Sequence, residues 1–338
     1  MRFGFNDACL GHDLGQRHPE NPDRIRAIRE YLSDRTAVEY VSPAPASEAD
    51  ISSVHSDEYV TELRAFIEAG GGNWDPDTAT TETTWEAALA SAGSAIWAAE
   101  VALDGASGHE TPFSLGRPPG HHATVDDAMG FCFLNNAAVA AQYARDHLDA
   151  ERVAILDWDV HHGNGIQDIF YDRQDVFYVS VHEDGLYPGT GEVDETGEGP
   201  GAGTTLNVPL PPGAGDAAYD ATLTDIVGPA IEDYDPDLLL VSAGFDAHHH
   251  DPISRMHVST EGYSILTRRV RETADAAGSA LGFVLEGGYG LETLAKGVGA
   301  VHDFFEGESV SPPEGTLQSD TKTLLEDISA GRHAVGLK

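Results

Sequence analysis

Positive charge is scarce in this chain. Lysine occupies only three of the 338 positions, and lysine and arginine together number 19 against 57 acidic residues, a formal net charge of −38. Nucleic-acid binding needs basic patches, so this composition argues against a nucleic-acid partner. The acidic residues are spread along the chain and 41% of all residues are hydrophobic, which argues against disorder.

So acidic a surface is typical of a protein kept soluble in concentrated salt, because repulsion between like charges is screened over about 3 Å at 1 M salt. We therefore expect a halophilic protein whose unfolding temperature falls as the salt concentration is lowered. Thermal unfolding followed by circular dichroism from molar to millimolar salt tests this expectation. Equal stability at both ends of that range would contradict it.

Cysteine and long apolar runs are also nearly missing. Cys9 and Cys132 are the two cysteines, too few for a disulfide framework. The first residues lack the apolar core of a signal peptide, and no apolar run approaches the roughly 20 residues that cross a bilayer. These features predict a cytoplasmic protein without a membrane partner.

Apolar strands alternate with helical segments along the chain. The pattern predicts helices at 24–33, 47–70, 84–104, 135–147, 216–233, 260–277 and 292–305, with a loop at 70–78. Such alternation is typical of an α/β fold with a mostly parallel central sheet and helices on both faces. We predict one catalytic domain over residues 1–307, followed by a polar C-terminal tail, 308–338, with a short helix.

One stretch concentrates the chemistry. A buried apolar strand begins at Val153 and leads into Asp157, Asp159, His161 and a Gly-Asn-Gly turn. Side chains alternate faces along a strand, so these two carboxylates and the imidazole are expected to point the same way. Oxygen and nitrogen ligands at a strand end suit a divalent metal such as zinc. Helix capping or turn formation is the alternative for an isolated pair of acids.

Other predicted strands also end in reactive side chains. His121 and His122 follow a rigid Pro-Pro-Gly turn, Asp246 ends a buried strand, and Tyr289 follows Gly-Gly. Because ligands bind outside the carboxyl ends of parallel strands, we expect these groups to meet Asp159 and its neighbours there. Histidine suits general acid–base work.

Three further positions are ambiguous. The run His248–His250 is interpreted as mostly a solvated loop, although three histidines also suit a metal. His18 and Arg24 could either line a site or pack within their loop.

In order along the chain, these motifs resemble those of the histone deacetylase family. They are closest to the class II deacetylases, the bacterial acetylpolyamine amidohydrolases and the acetoin-utilisation proteins, and the resemblance covers about residues 10–305. The motifs are His18–Arg24, Arg-Pro-Pro-Gly-His-His ending at His122, Gly130-Phe131-Cys132, Asp157–Gly165, Tyr187–Gly191, Ser242–His248 and Leu285–Tyr289.

The resemblance implies the three-layer arginase/deacetylase fold and zinc-dependent hydrolysis of an acyl amide, with acetyl-lysine in proteins or peptides as the substrate. The implied zinc ligands are Asp159, His161 and Asp246, with Fe²⁺ an alternative ion in vivo. They leave an open position for water, the pattern of a catalytic site.

The same resemblance assigns the catalytic groups. His121 and His122 act with the metal to activate water and protonate the leaving amine, and Asp157 orients His121. Asn164 stands where class I members carry an acid, which should make His122 harder to protonate. Tyr289 hydrogen-bonds the substrate carbonyl.

A structural potassium ion and a substrate channel are implied as well. The potassium site would take oxygens from Asp157, Asp159, His161, Ser180 and Val181. The channel would be lined by Gly120, Gly130, Phe131 and Tyr187. Ile253 lies where polyamine-selective relatives can carry an acid near the channel mouth, and it gives no such sign.

Several alternatives stay open. An acetylpolyamine amidohydrolase would use the same zinc chemistry. An arginase-like hydrolase would hold two manganese ions, and a metal-bound sensor or inactive paralogue would have no turnover. The sequence leaves open the acyl length, the pathway and the oligomeric state, including a homodimer.

Overall fold

A parallel sheet forms the centre of the computed structural model, which describes residues 1–104 and 110–334. Its eight strands are β1 (Arg2–Gly4), β2 (Glu39–Val41), β5 (Phe113–Ser114), β6 (Val153–Asp157), β7 (Val176–Glu183), β8 (Thr205–Leu210), β9 (Leu238–Ala243) and β10 (Ala280–Leu285). They lie in the order β2-β1-β5-β10-β9-β6-β7-β8, and all neighbouring strands pair in parallel. The predicted parallel sheet is confirmed.

Helices cover both faces of this sheet. They are α1 (Asp23–Leu32), α2 (Glu48–Ile51), α3 (Asp57–Glu68), α4 (Thr84–Asp104), α5 (Asn136–His147), α6 (Asn164–Phe170), α7 (Asp216–Thr222), α8 (Gly228–Tyr234), α9 (Thr260–Ala277), α10 (Leu291–Phe305) and α11 (Ser319–Ala334). Because side chains alternate along β6, Ala154 and Leu156 enter the core under α1, α9 and α10, whereas Val153 and Ile155 enter the core under α3, α4 and α5. The result is three layers.

Local structure differs from the sequence-based expectation in several places. The helix predicted at 47–70 is two helices, because Ser47 and Ser56 each accept a backbone N–H and start a new helix, α2 and α3. The predicted loop at 70–78 begins a small antiparallel hairpin of β3 (Gly72–Asn73) and β4 (Ala79–Thr80). Edge strand β2 was missed because its three residues are too few to show a period.

The helix predicted at 216–233 is interrupted by one wider turn. Leu223–Val227 forms a π-helical segment between α7 and α8. Pro229 lies in the first turn of α8 and lacks the N–H that would continue a regular helix. The predicted helix is otherwise continuous.

The C-terminal segment packs on the domain. Its helix α11 has 16 residues, and Leu325 and Ile328 are buried in the same core as α9 and α10. Residues 335–338 of the predicted tail lie outside the described residues. A domain boundary near residue 307 stays a prediction. Within residues 1–104 and 110–334, no helix is both long and apolar enough to cross a membrane.

His55 makes the fold sensitive to acid. It is 3% exposed; its Nδ1–H donates to Thr124 O at 2.8 Å and its Nε2 accepts the Asn135 N–H at 2.9 Å. Burial lowers the pKa of His55 to about 4, whereas in the unfolded chain a histidine titrates near 6.5. The unfolded state therefore gains the proton first, so stability is complete above about pH 6.5 and falls as the pH approaches 4.

We expect His55 alone to lower the free energy of unfolding by about 2 to 3 kcal/mol over that range. Denaturant unfolding from pH 7 to pH 4.5 measures the loss. His55→Gln should make the loss smaller by about 2 to 3 kcal/mol. Other buried histidines, such as His12 and His162, whose pKa burial also lowers to about 4, keep part of the slope. Replacing the exposed His147 with Gln should leave the profile unchanged. An equally steep profile in His55→Gln would disprove this explanation.

Candidate active site

Four adjacent strands bring the predicted site residues to one edge of the sheet. In the central register Asp157, the last residue of β6, lies beside Ser180 of β7 and Ser242 of β9. Asp246 follows β9 after three residues, and Glu286 directly follows β10. Because all four strands are parallel, their carboxyl ends open on the same side.

Asp159, His161 and Asp246 form a compact buried cluster. Each offers one ligand atom, and these atoms all lie within 4.8 Å of one another. His161 Nδ1 is 3.0 Å from Asp159 Oδ1 and 3.4 Å from Asp246 Oδ2. Two carboxylates and one imidazole from two different loops therefore converge on one point.

Turns, not strand alternation, produce this convergence. Strand β6 ends at Asp157, so strand alternation alone does not determine where the side chains beyond it point. Instead Asp157 Oδ1 accepts the N–H of Asp159 at 3.0 Å, and Asp159 Oδ1 accepts the N–H of His161 at 2.9 Å. Carboxylates that bind the backbone two residues ahead stabilise such turns. The expected proximity is present, but for a different physical reason.

The donor set fits a divalent metal ion. Asp246 Oδ2 is buried and has no hydrogen-bond partner among the described residues, and such an atom is costly unless something binds it. Gly287 leaves room for an ion beside these carboxylates, because a Cβ atom at position 287 would lie 2.1 Å from Asp246 Oδ2 and 2.5 Å from Asp159 Oδ2. Carboxylate oxygen and imidazole nitrogen are ligands that zinc accepts.

The tandem histidines lie beside this cluster, and their ring centroids are 4.0 Å apart. His121 Nδ1 is 3.0 Å from Asp157 Oδ2, and its Nε2 is 3.8 Å from Asp159 Oδ1. His122 Nδ1–H donates to Asn164 Oδ1 at 2.8 Å. That bond leaves Nε2 of His122 with the free lone pair that a general base needs.

The two histidine rings have different electrostatic surroundings, which shift their pKa values in opposite directions. Burial alone would lower the pKa of His121, but the carboxylates of Asp159 and Asp157 outweigh it and raise the pKa to about 10. Burial, followed by the neighbouring His121 and His161, holds the pKa of His122 well below its ordinary value. A divalent cation beside Asp159 would offset the carboxylates and favour neutral His121. His122 is neutral at pH 7.

Aromatic rings surround the approach to the cluster. The centroid of the Tyr187 ring lies 5.1 Å from that of the His122 ring and 6.4 Å from that of the His161 ring. The Phe131 ring packs 5.8 Å from Tyr289, and Phe131 itself has a positive φ of 68°, an uncommon conformation for a residue with a side chain. Burial raises the pKa of Tyr289 well above its ordinary value, so the hydroxyl stays protonated and can donate.

Comparison with known proteins agrees with this geometry. A model of the histone deacetylase domain matches residues 18–304. The chain belongs to the histone deacetylase family. A histone deacetylase-like amidohydrolase of Pseudomonas aeruginosa is 41% identical, covering 97% of this chain and 95% of its own. A probable deacetylase of Methanothermobacter thermautotrophicus is 44% identical over 87% of this chain and 88% of its own.

Relatives from plants and a solved structure give the same result. Rice histone deacetylase 10, named as chloroplastic, is 38% identical over 96% of this chain and 79% of its own. The crystal structure of the HDA15 HD domain superposes with a TM-score of 0.88 at 35% identity, covering 97% of this chain and 93% of the other. The chain therefore has the arginase/deacetylase fold of the histone deacetylase family.

The residues predicted to line a channel or to bind potassium lie in several loops and in β6 and β7. Gly120 is buried and precedes the tandem histidines. A Cβ on Gly130 would lie 2.4 Å from the His122 ring, so this residue passes close beside it. Ile253 is half-buried, and its N–H donates to Asp251 at 3.1 Å. Channel and potassium roles stay predictions; for potassium, Ser180 lies beside Asp157 and Val181 is the next residue of β7.

The two ambiguous loop residues lie near the aromatic rings. His18 packs edge-on to Phe131 with centroids 4.9 Å apart. The buried Arg24 guanidinium carbon lies 5.0 Å from the centroid of the Tyr289 ring.

The run His248–His250 also brings ligand atoms within 4.8 Å of one another. However, His248 Nδ1 accepts the N–H of His250, and its Nε2 is 3.1 Å from Thr260 Oγ1. A neutral imidazole has only one lone pair, so His248 has none left for a metal. His249 and His250 are exposed, in agreement with a loop that is mostly solvated.

Buried charges beneath the tandem histidines were missed as site residues. Glu286 Oε2 accepts the N–H groups of Gly120 at 2.7 Å and His121 at 3.2 Å, and its Oε1 accepts the Ser242 hydroxyl at 2.9 Å. Glu286 is 0% exposed, so it fixes the backbone of the histidine loop from inside. An acid directly before Gly-Gly at a strand end was the available signal.

Arg117 holds the start of the same loop. Its Nε and Nη2 donate to the two carboxylate oxygens of Glu20 at 2.8 and 2.6 Å. Burial would raise the pKa of Glu20, but Arg117 outweighs it and the pKa falls to about 2. The ion pair connects the His18–Arg24 motif to the loop of the tandem histidines.

Proposed function

We propose that this protein is a zinc-dependent amidohydrolase that removes acetyl groups from N-acetyl-lysine in proteins or peptides. One observation carries the proposal: Asp159, His161 and Asp246 converge beside His122, whose Nε2 keeps a free lone pair because its Nδ1–H donates to Asn164 Oδ1. Membership of the histone deacetylase family supports the reaction class. Fe²⁺ is the alternative ion in vivo.

The three ligand residues would hold the ion at the inner end of the channel. When bound, it supplies Lewis-acid polarisation of the substrate carbonyl and increases the acidity of the attacking water. Three protein ligands leave a further position for the reactants, as in other catalytic zinc sites.

The residues of the chain carry the proton transfers. His122 Nε2 accepts a proton as water adds to the amide carbon, and Tyr289 donates its O–H to the carbonyl oxygen, where negative charge develops. As the C–N bond breaks, the tandem histidines return a proton to the leaving amine. Acetate and the free amine are the products.

Binding contacts orient the amide for this attack. The Gly120 carbonyl would accept the amide N–H of the substrate. Glu286 Oε2 holds this backbone in place by accepting the N–H of Gly120. Phe131 and Tyr187 would enclose the aliphatic stem of the acyl amine. A potassium ion near Asp157 and Ser180 and a cytoplasmic location complete the proposal.

A second substrate class is favoured by acidic residues in the loop beside Phe131. The Phe131 N–H donates to Thr78 Oγ1 at 3.3 Å, and Thr78 follows Asp77. Burial and then nearby groups, including Asp77, Asp75 and Asp127, raise the pKa of Tyr187. The Trp74 Nε1–H donates to Asp127 Oδ1 at 2.8 Å, which ties these loops together. Carboxylates there would attract a second positive charge, so acetylpolyamines are the alternative to basic acetyl-lysine peptides.

Two substrates assayed side by side test both proposed substrate classes. Deacetylation of an acetyl-lysine peptide and of acetylspermidine is measured in high salt with zinc restored, with and without a chelator. Turnover of either substrate that the chelator abolishes supports the amidohydrolase, and the ratio of kcat/KM values identifies the substrate class. No turnover of either by folded protein with one bound metal would overturn the proposal in favour of a sensor.

A further inference from the structure

A buried carboxylate grips the backbone beside the proposed catalytic tyrosine. Asp251 is 6% exposed. Its Oδ2 accepts the N–H of Tyr289 at 2.7 Å and that of Gly290 at 3.0 Å, and its Oδ1 accepts the N–H of Ile253 at 3.1 Å. Both oxygens are therefore committed to backbone donors. We propose that Asp251 is a positioning residue that sets the place of the Tyr289 hydroxyl; this inference rests on the proposed function.

The peptide group before Tyr289 is held at both of its ends. Its N–H binds Asp251, and its carbonyl, Gly288 O, accepts from Arg24 Nε at 2.8 Å. Arg24 is 0% exposed and its guanidinium carbon lies 5.0 Å from the Tyr289 ring centroid. A buried anion and a buried cation thus fix one peptide plane, and that plane sets the direction in which the tyrosine side chain leaves the backbone.

The segment needs such a clamp because its own backbone is permissive. Gly288 has φ +115°. Glycine adopts positive and negative φ about equally readily, so this residue alone does not fix the backbone. Helix α10 starts only at Leu291, and its N-cap, Gly290, has no side-chain capping bond. Without Asp251, the described contacts would leave the N–H groups of Tyr289 and Gly290 without a partner.

The same loop connects the clamp to the metal cluster. Asp251 lies five residues after Asp246, on the segment that leaves β9, and Ser254 Oγ donates to the carbonyl of Asp246 at 2.5 Å. One short loop thus carries a ligand residue and the anchor of the tyrosine. A displacement of about 1 Å at a catalytic group can cost about 100-fold in rate, so this anchoring matters for turnover.

A purely structural role is the competing explanation. A carboxylate near the N-terminus of α10 would stabilise that helix through its dipole even if it had no influence on the tyrosine hydroxyl. The two explanations differ in one measurable way. A positioning residue acts through the Tyr289 hydroxyl, so its removal should matter little once that hydroxyl is gone.

A double-mutant cycle measures this dependence. Wild type, Asp251→Ala, Tyr289→Phe and the double variant are assayed on the substrate that the wild type turns over. We expect Asp251→Ala to lower kcat about 10- to 100-fold with little change in KM, and to lower it less than about threefold in the Tyr289→Phe background. Asp251→Asn, which keeps one acceptor oxygen, should recover most of the loss.

Asp237 provides a matched control. Its Oδ2 also accepts two successive backbone N–H groups, those of Glu151 at 2.7 Å and Arg152 at 2.9 Å, but at the opposite end of β9. Asp237→Ala should leave kcat within about twofold of wild type, because the same kind of clamp is removed away from the chemistry. A loss of kcat equal to that of Asp251→Ala would show that the effect is not specific to the tyrosine.

Each outcome decides the question. An equal loss in both backgrounds would overturn the positioning role while the proposed function stands. If wild type turns over no acyl amide, the proposed function fails and this inference fails with it. Circular dichroism and metal content verify each variant. If Asp251→Ala does not fold, Asp251→Glu, which keeps the charge but displaces both acceptor oxygens by one methylene group, is carried through the same cycle under the same criterion.

Discussion

Replacing Asp246 with asparagine is expected to lower kcat/KM by at least about 1,000-fold. The substitution removes one of three converging ligand residues, and a metal ion in such a site contributes several kcal/mol to the stabilisation of charge in the transition state. The amide can still accept the Val160 N–H that now binds Asp246 Oδ1 at 2.9 Å. Metal content per chain should fall together with activity.

The stability of the metal-free protein should not fall in Asp246→Asn, although its activity does. Asp246 Oδ2 is a buried carboxylate oxygen without a hydrogen-bond partner among the described residues, and a neutral amide there costs less to bury. The unfolding temperature of Asp246→Asn in chelator should therefore equal or exceed that of wild type. Asp216→Asn is the control: this buried acid accepts from Ser259 N and Oγ, and its replacement should leave metal content unchanged. Full activity in Asp246→Asn would refute the ligand assignment.

Replacing Tyr289 with phenylalanine is expected to lower kcat about 100- to 1,000-fold, as the loss of one oxyanion donor typically does. The ring and its contacts with Phe131 and Arg24 remain, so the fold should be unchanged. The metal ligands are untouched, so metal content should equal that of wild type. Steady-state kinetics and elemental analysis of the same preparation measure both quantities.

Tyr263→Phe is the matched control for that variant. Tyr263 is fully buried, and its hydroxyl has no hydrogen-bond partner among the described residues. Removing this hydroxyl should change kcat less than about twofold, because it neither touches the proposed substrate nor holds a catalytic group. If Tyr289→Phe lost no more activity than Tyr263→Phe, Tyr289 would not be the carbonyl donor.

Much of the fold was predictable because the strands are buried on both faces. Leu238–Ala243 is buried at every position and apolar at all but Ser242, as expected of a parallel strand between two helical layers. The boundaries of α4 (Thr84–Asp104) were also correct. Two short strands, β1 and β5, were predicted as well. Strand β2 and the β3–β4 hairpin were not, since they have too few residues for a period and depend on tertiary contacts.

The candidate site likewise contains residues that could be predicted from the sequence and residues that could not. Residues with unusual chemistry at strand ends, such as His121 and Asp246, could be predicted from residue type and position alone. Glu286 offered only the signal of an acid before Gly-Gly at a strand end. The positioning roles of Glu286 and Asp251 could not be predicted, because they depend on backbone donors that are distant in sequence. Glu286 binds the N–H groups of Gly120 and His121, 166 and 165 residues away, and only the folded chain brings them together.

The number of metal ions needed for turnover distinguishes a single-metal hydrolase from the alternatives. Protein stripped with a chelator is titrated with Zn²⁺ in high salt, and deacetylation and bound metal are measured at each step. We predict no activity without metal and full activity at one ion per chain, held by Asp159, His161 and Asp246. Activity that survives stripping, or that appears only at two ions per chain as in a binuclear hydrolase, would contradict it.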